Sequence, residues 1–347
     1  MKKLLLIIGL ILLMAAGLWA QTVVDYGPYQ DAFQSFAEGV ATTLPATAAV
    51  TGLNWSPAYI GKFPHFGVGV SIGAFTMPYE DAVEPALDLL GVTLPSEYQF
   101  IEKYGLPFPA IALDARLGFK PFDVGFKIGL IPEAAREYMG KINADYFLIG
   151  GDLRLPLLKD HGFVPALSIS AGYTYWRANI GVPDVLGTGD YEVDISDVFG
   201  NPSGSNVLQF TSPELAFAVQ THSFIAKLQA SKKLFIITPH IGLGAAYGIS
   251  NAGGGLSSDV YYNGSPISSS DITAIEDAFA AAPPPYDAMA PELTDQGFLI
   301  GAAANGFTTW VYGGTAINIF FIKIDVSAMY NFIGRTYGGA VNVRLQL

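Results

Sequence analysis

One short motif in the sequence has the residue types that acyl-transfer chemistry uses. Gly69, Ser71 and Gly73 match the G-x-S-x-G pattern around the nucleophilic serine of many hydrolases. That serine works at a strained turn between a strand and a helix, where its hydroxyl is exposed. Here apolar and small residues alternate along residues 66–74, so the serine falls in the middle of a predicted strand. We therefore interpret the motif as a chance match.

Histidines and carboxylates could supply acid–base or metal chemistry, but their spacing favours neither. The four histidines, His65, His161, His222 and His240, are isolated from one another. A zinc site needs clustered ligands, and the chain has no Cys. The acidic stretch 251–296 lacks the aspartate spacing of a calcium-binding loop. We expect no catalytic activity, no cofactor and no metal.

The composition points to a membrane protein built of strands. The 347 residues include 39 Gly and are 51% hydrophobic, but only 14% are charged, whereas soluble domains average about 25% charged residues. Eighteen basic residues against 30 acidic ones give a net charge of −12, which is unsuited to nucleic-acid binding. High glycine content with few charges is typical of a membrane β-barrel.

The first 20 residues have the three parts of a secretory signal peptide. Lys2 and Lys3 form a positive start, residues 4–14 form an apolar core, and small residues follow. We expect cleavage after Ala20, with Gly17 as the alternative. A membrane anchor is the competing interpretation, but the apolar core is shorter than the roughly 20 residues that a spanning helix needs.

Ten segments show the period-2 alternation of strands with one apolar face. They lie near residues 65–76, 108–120, 122–132, 144–156, 163–180, 212–230, 234–250, 303–319, 321–333 and 336–347. Closure of such strands leaves no unpaired edge in lipid, and bacterial barrels have an even number of strands. We predict an all-β fold, a transmembrane antiparallel up-and-down β-barrel of about ten strands, with eight and twelve as alternatives.

Two local patterns need their own interpretation. Residues 297–322 are uncharged and apolar, but their five Gly and many β-branched residues favour a strand over a membrane helix. Along segment 212–230 the apolar face changes parity between Val219 and Phe224. This change predicts a β-bulge near residues 220–222.

The connections between the strands alternate in length. If both termini lie on one side, the long connections fall on the other side, as extracellular loops of outer-membrane barrels do. Three of these connections, 77–107, 181–212 and 251–296, contain six, five and seven acidic residues, together 18 of the 30. Short helices are predicted at 81–90 and 271–281. We interpret the acidic loops as solvated surface.

Residues 21–64 precede the first strand and contain several distinct segments in a characteristic order. A helix-forming stretch at 30–40 is followed by a run of small residues, by the Asn–x–Ser–Pro turn at 54–57, and by the glycine-alternating strand. This order resembles the start of the bacterial long-chain fatty-acid transporter family, where an N-terminal hatch lies inside a barrel of more strands. The rest of the chain, notably residues 234–248, looks like other outer-membrane barrels of diderm bacteria.

The resemblance implies that residues 21–64 plug the lumen. The residues expected to pack there are Phe33, Phe36, Trp55 and Tyr59. A disordered periplasmic tail is the alternative, although disordered segments are usually poor in aromatic residues. We therefore expect three parts: a signal peptide (1–20), a plug or periplasmic segment (21–64) and the barrel (65–347).

If the apolar strand faces meet lipid, the charged residues of the opposite faces line the lumen. These are Asp114, Arg116, Lys120, Asp123, Lys127, Asp152, Arg154, His240, Lys323, Asp325 and Arg344. Charges of both signs on neighbouring strands predict a paired network, because buried charges need partners. In one interpretation the network is structural and stabilises the barrel. In the other interpretation it selects solutes or holds the plug.

Two functions from different classes agree with this sequence. The first is transport of small or hydrophobic solutes through a plugged barrel in the bacterial outer membrane. The second is a structural or surface-interaction barrel that displays acidic loops without transport. An open porin is a weaker variant, because about ten strands enclose a small lumen. The expected partners are outer-membrane lipid, the barrel-assembly machinery and, for transport, the solute.

Overall fold

Strands dominate the computed structural model, as the alternation predicts. The structure describes residues 38, 43–50, 55–58, 65–77, 79–80, 99–119, 121–130, 143–182, 190–200, 206–282, 293–295 and 297–347. The strands are β1 (Phe66–Met77), β2 (Leu106–Gly118), β3 (Asp123–Leu130), β4 (Asn143–Leu158), β5 (Ala166–Val182), β6 (Tyr191–Asp194), β7 (Val207–Ser231), β8 (Ile237–Tyr262), β9 (Ser265–Pro266), β10 (Leu293–Thr294), β11 (Gly297–Ile319), β12 (Ile322–Asn331) and β13 (Thr336–Gln346).

Helical structure is sparse in the described residues. The helices are α1 (Gln99–Tyr104), α2 (Ser269–Ala281) and residues 43–50. The prediction of a helix at 271–281 is confirmed, whereas the predicted helices at 30–40 and 81–90 lie outside the described residues except for residue 38. Among the described helices, none has the length and apolar character needed to cross a membrane.

Ten of the strands close into an antiparallel barrel. Each of β1, β2, β3, β4, β5, β7, β8, β11, β12 and β13 pairs with the next in this order, and β13 pairs back with β1. Closure satisfies the backbone hydrogen bonds of every barrel strand within the sheet. The predictions of ten strands and of a strand at 297–322 are confirmed.

The outward side of the barrel is apolar over the thickness of a bilayer. Along β8 the exposed residues include Ile237, Leu243 and Ile249. Twelve residue steps of about 3.4 Å, on a strand tilted by about 40°, rise about 31 Å along the barrel axis. The hydrocarbon core of a membrane is about 30 Å thick. The barrel is therefore a transmembrane one, and its buried charged side chains face the lumen.

The two ends of the barrel differ. The short turns at 159–165, 232–236 and 320–321 lie at the end that also holds His65 and Leu347, which we call the turn end. The backbones of Phe119 and Phe122, between β2 and β3, also pair there. Residues 332–335 make a short turn at the opposite end, which we call the loop end, and the other pairs of barrel strands that meet there are further apart in the chain. This is the predicted arrangement of short periplasmic turns and long extracellular loops.

The predicted bulge near residues 220–222 is wrong. β7 pairs with both neighbours without interruption there, and its irregularity lies between Thr211 and Glu214. The apolar residues change sides because the lumen itself becomes apolar toward the loop end, where Val219 packs against a buried core. Phe224, nearer the turn end, faces lipid.

Strands β7, β8 and β11 extend beyond the predicted segments at the loop end. Together with β6, β9, β10 and α2 they enclose a small core of their own, which we call the outer cap. Its buried side chains include Phe210, Val260 and Ile275. A capping box between Ser268 and Asp271 starts α2.

Candidate functional site

The inner faces of the strands bring most of the predicted lumen residues together. Eight of them are buried: Asp114, Arg116, Asp123, Lys127, Arg154, His240, Asp325 and Arg344. The side chain of Asp152 is 23% exposed, Lys323 is half-buried beside the turn end, and Lys120 lies outside the described residues. Alternation along each strand places these groups, because successive side chains point to opposite faces.

One cluster of charges joins β2, β3 and β4. Arg116 binds Asp152 in a bidentate manner, with Nη2 at 2.6 and 2.7 Å from the two carboxylate oxygens, and also donates to Asp123. Asp123 is fully buried and accepts from Nε of Arg154 at 2.9 Å. Two arginines thus surround two aspartates, which satisfies the charges away from bulk water.

A second cluster joins β2, β12 and β13. Asn342 donates to Asp114 at 2.8 Å and accepts from Arg344 at 2.9 Å. Arg344 also lies 3.4 Å from the Oδ2 atom of Asp325, while Nδ1 of His240 lies 3.7 Å from the Oδ1 atom. Both clusters lie in the half of the lumen nearer the turn end.

Residues 43–50 and 55–58, which we call the inner segment, lie inside the barrel, and residues 55–58 lie between these clusters. The ring of Trp55 is only 5% exposed. The guanidinium carbon of Arg344 lies 4.7 Å from its centroid and that of Arg116 lies 5.5 Å away. Two cation–π contacts of this kind contribute about 0.5–2 kcal/mol each, so Trp55 connects the two clusters.

The wall holds the inner segment chiefly through the backbone of that segment. Arg154 donates to the carbonyls of Trp55 and Pro57 at 2.8 and 3.2 Å, and Arg344 donates to the carbonyl of Ser56. The ammonium group of Lys127 donates to the carbonyl of Ala48 at 2.6 Å.

Ser56 donates hydrogen bonds in the opposite direction, from the inner segment to the wall. Its backbone N–H and its hydroxyl both donate to Asp325, at 3.2 and 2.8 Å. Asp325 therefore holds the inner segment and Arg344 at the same time. Removal of this carboxylate would leave buried donors on both partners without an acceptor.

Toward the loop end the inner segment packs in an apolar core. Leu44, Ala48 and Val50 are buried there among wall residues such as Trp176 and Trp310. Glycines let the helix approach the wall closely: a Cβ placed on Gly73 or Gly338 would meet the side chain of Val50 at 2.8 or 3.1 Å. The lumen is thus charged in one half and apolar in the other.

Some wall residues that hold the inner segment were missed by sequence reasoning. Gln229 donates to the carbonyl of Trp55 at 3.1 Å, and Ser231 accepts from the backbone of Ala58 at 2.7 Å. The alternation in the sequence predicts that both side chains point into the lumen. It does not predict that an uncharged residue contacts a distant segment of the chain. Of the residues predicted to plug the lumen, Trp55 lies in it, and Phe33, Phe36 and Tyr59 lie outside the described residues.

The outer cap has its own electrostatics. Hydrogen bonds from Ser196 hold the pKa of Asp194 below its usual range, and those from Ser268 do the same for the pKa of Asp271. Burial raises the pKa of Tyr262. Each aspartate carries its negative charge at neutral pH, so the cap presents an acidic surface.

The groups with catalytic potential do not assemble into one site. Ser71 is buried in mid-strand and accepts a hydrogen bond from the amide of Asn342 at 3.3 Å, so it is not at an exposed turn. His222 faces outward and shares a hydrogen bond of 2.7 Å with Tyr173, away from His240 in the lumen. Within the described ranges, no group of three or more His, Asp or Glu residues could hold a metal ion.

The chain is similar to known bacterial proteins in its fold but not in its sequence. No protein-family model matches the chain, and no curated protein sequence matches it. The translocator domain of the autotransporter NalP from Neisseria meningitidis is similar at 7% identity and a TM-score of 0.34, over 90% of this chain and 99% of that one. The outer-membrane protease OmpT from Escherichia coli has 9% identity and a TM-score of 0.30, over 82% and 97% of the two chains. The toluene transporter TodX from Pseudomonas putida has 8% identity and a TM-score of 0.24, over 93% and 98%.

Proposed function

We propose that this outer-membrane barrel is a gated transporter or channel whose inner segment is a movable plug. Small or hydrophobic solutes pass when the plug leaves the lumen, as the N-terminal resemblance to the long-chain fatty-acid transporters implies. Residues 1–20 direct export and are removed. The barrel-assembly machinery then inserts the mature chain in the outer membrane.

One observation carries the proposal: the wall cations hold the plug by its backbone carbonyls. Lys127, Arg154 and Arg344 each donate to such a carbonyl. Water can replace a carbonyl as acceptor, so the net contribution of each such bond is only about 1.5–3 kcal/mol. Contacts of this size hold a plug in place and still allow its release.

The chemistry of the vacated lumen supports passage of solutes with an apolar part. When the plug leaves, the aromatic residues of the wall toward the loop end lose their apolar neighbour. The walls there include Tyr146, Trp176, Trp310 and Tyr312, all buried against the core that the plug completes. Binding sites for small molecules are typically apolar and aromatic, with a few polar groups.

A disulfide that can be opened and closed tests whether the plug controls passage. The chain has no Cys, so Val50→Cys with Gly338→Cys introduces a single pair. A Cβ on Gly338 would lie 3.1 Å from Cγ2 of Val50, close to the roughly 3.0 Å between the sulfur of one half-cystine and the Cβ of the other. Trp55→Ala in the same chain loosens the plug.

The measurement is ion conductance in planar bilayers. We expect current from the reduced protein, silence after oxidation, and recovery on reduction. The chain with Trp55→Ala and Val50→Cys alone is the matched control and should conduct under both conditions. If the reduced, folded protein passes no current, the plug does not gate a path.

A surface-interaction barrel is the alternative, and the outer cap favours it. The cap has its own core, separate from that of the lumen, and stretches 181–212 and 251–296 contain acidic residues but no Lys or Arg. A sealed barrel that displays such a domain needs no path for solutes. Silence of the loosened, reduced protein would place this function first.

A further inference from the structure

We infer that the opened barrel selects anions, although the chain as a whole carries a net charge of −12. This inference rests on the proposed function, since it concerns the lumen after the plug has moved. It follows from the charges that remain on the inner wall. They are the acids Asp114, Asp123, Asp152 and Asp325 and the bases Arg116, Lys127, Arg154, Lys227 and Arg344.

The wall therefore carries five basic groups against four acidic ones in the described residues. Lys227 belongs to this set because it shares the inward parity of the buried Ile225 and Gln229 on β7. Lys323 adds a further positive charge at the turn end, and His240 adds one only when protonated. With each of these nine groups in its charged form, the described inner wall has a net charge of +1.

The acidic groups are engaged by donors of the wall itself, and Asp325 also accepts from Ser56 of the plug. Asp123 accepts from Arg116 and Arg154, and Asp152 accepts from Arg116. These pairs lie within the three consecutive wall strands β2, β3 and β4, so departure of the plug leaves them intact. An entering cation would have to compete with arginines that are fixed in place.

Three of the basic groups donate to the plug in addition to any contacts they make within the wall. Lys127, Arg154 and Arg344 direct donors at carbonyl oxygens of the plug. Departure of the plug removes those oxygens and exposes the donors to the lumen. An anion can replace a carbonyl as acceptor, and rings of Arg and Lys are the usual lining of anion-selective pores.

The acidic loops are too far away to reverse this preference. Lys227 is paired with Gly244 on β8, and Asp259 lies 15 residues further along that strand. At about 3.4 Å per residue and a tilt of about 40°, they are separated by about 39 Å along the barrel axis. The Debye length in physiological salt is about 8 Å.

The expected selectivity follows from Coulomb's law. One net positive charge at a distance of about 7 Å in water raises the local concentration of anions by about e-fold and lowers that of cations by about e-fold. The ratio of chloride to potassium permeability should then be about seven.

The experiment measures this ratio from the reversal potential of the full chain in a potassium chloride gradient. Trp55→Ala with Ser56→Ala loosens the plug and leaves every wall charge in place. We expect chloride to be preferred. In this background Lys127→Gln, and independently Lys227→Gln, should lower the ratio to about one, and Asp114→Asn should raise it. Arg177→Gln is the matched control, because Arg177 is half exposed on the outer face and pairs with Asp145.

The outcomes separate this inference from the function on which it rests. Absence of current from folded protein overturns the proposed function. Current that prefers potassium, or a ratio that responds equally to Arg177→Gln and to the wall variants, overturns anion selection and leaves the gated path standing.

Discussion

Replacement of Trp55 by Ala should release the plug without unfolding the barrel. The indole is 5% exposed and lies between the guanidinium groups of Arg344 and Arg116. Truncation of a buried Trp to Ala costs about 3–5 kcal/mol. The described contacts of the indole connect the plug to the wall, so this cost falls on the plugged state and not on the hydrogen bonds between the strands.

A cysteine in the plug reports the population of the released state. Ala49 is 1% exposed, so Ala49→Cys reacts with a water-soluble maleimide only when the plug opens, and the native chain offers no other thiol. A loss of at least about 3 kcal/mol should raise the reaction rate about 100-fold, since about 1.4 kcal/mol corresponds to a factor of ten.

The control distinguishes release of the plug from loss of another large aromatic residue. Phe163 lies fully exposed in the turn at 159–165, so Phe163→Ala should leave the rate unchanged. Hydrogen exchange along β8 should stay slow in both variants, which excludes barrel unfolding. A rate within threefold of the parent in the Trp55→Ala protein would refute the assigned role of the indole.

Three further changes test the packing and the turns. Gly244→Ala places a Cβ against an indole of the neighbouring strand and should destabilise the barrel by about 1–3 kcal/mol in urea unfolding; Gly306→Ala, with no atom within 4 Å, should be nearly neutral. Phe235 has φ +53° in its turn, and a left-handed residue costs about 1–2 kcal/mol. Phe235→Gly should therefore stabilise the protein by about 0.5 kcal/mol after the entropy of Gly is subtracted, and a loss of stability would contradict the assigned strain. Hydrogen bonds from two lysines hold the pKa of Asp160 below its usual range, so its small stabilisation is present above about pH 4 and disappears as the pH falls through the lowered pKa. The protection factor of the Lys233 amide, which donates to this carboxylate at 2.8 Å, should fall over that range and should stay constant in an Asp160→Asn protein.

Most of the barrel could be predicted because its strands obey a local rule. A strand between lipid and lumen must alternate apolar and other residues, and it does so along β4, β5 and β13 with few exceptions. The bounds were less predictable: β8 continues to Tyr262, where its inward side chains pack in the outer cap instead of the lumen. The alternation continues unchanged beyond the membrane, so it does not show where a strand leaves the bilayer.

The wrong prediction of a β-bulge at residues 220–222 also arose because alternation does not show what surrounds a strand. Period 2 tells which residues share a face, but not whether lipid or protein lies against that face. Val219 is apolar because the inner segment and the wall form a core at its level. A change of apolar parity therefore signalled a change in the lumen and not a bulge.

The sequence also determined one part of the candidate site and left another part to the tertiary structure. Strand parity in the sequence already determined which charges face inward, because side-chain direction on a strand depends on position alone. The pairs themselves depend on the stagger of neighbouring strands and on what fills the lumen. Ser56 meets Asp325 across 269 positions of the chain, and Lys127 meets the carbonyl of Ala48. Such contacts exist only after the barrel has closed around the inner segment, since no local interaction brings these residues together.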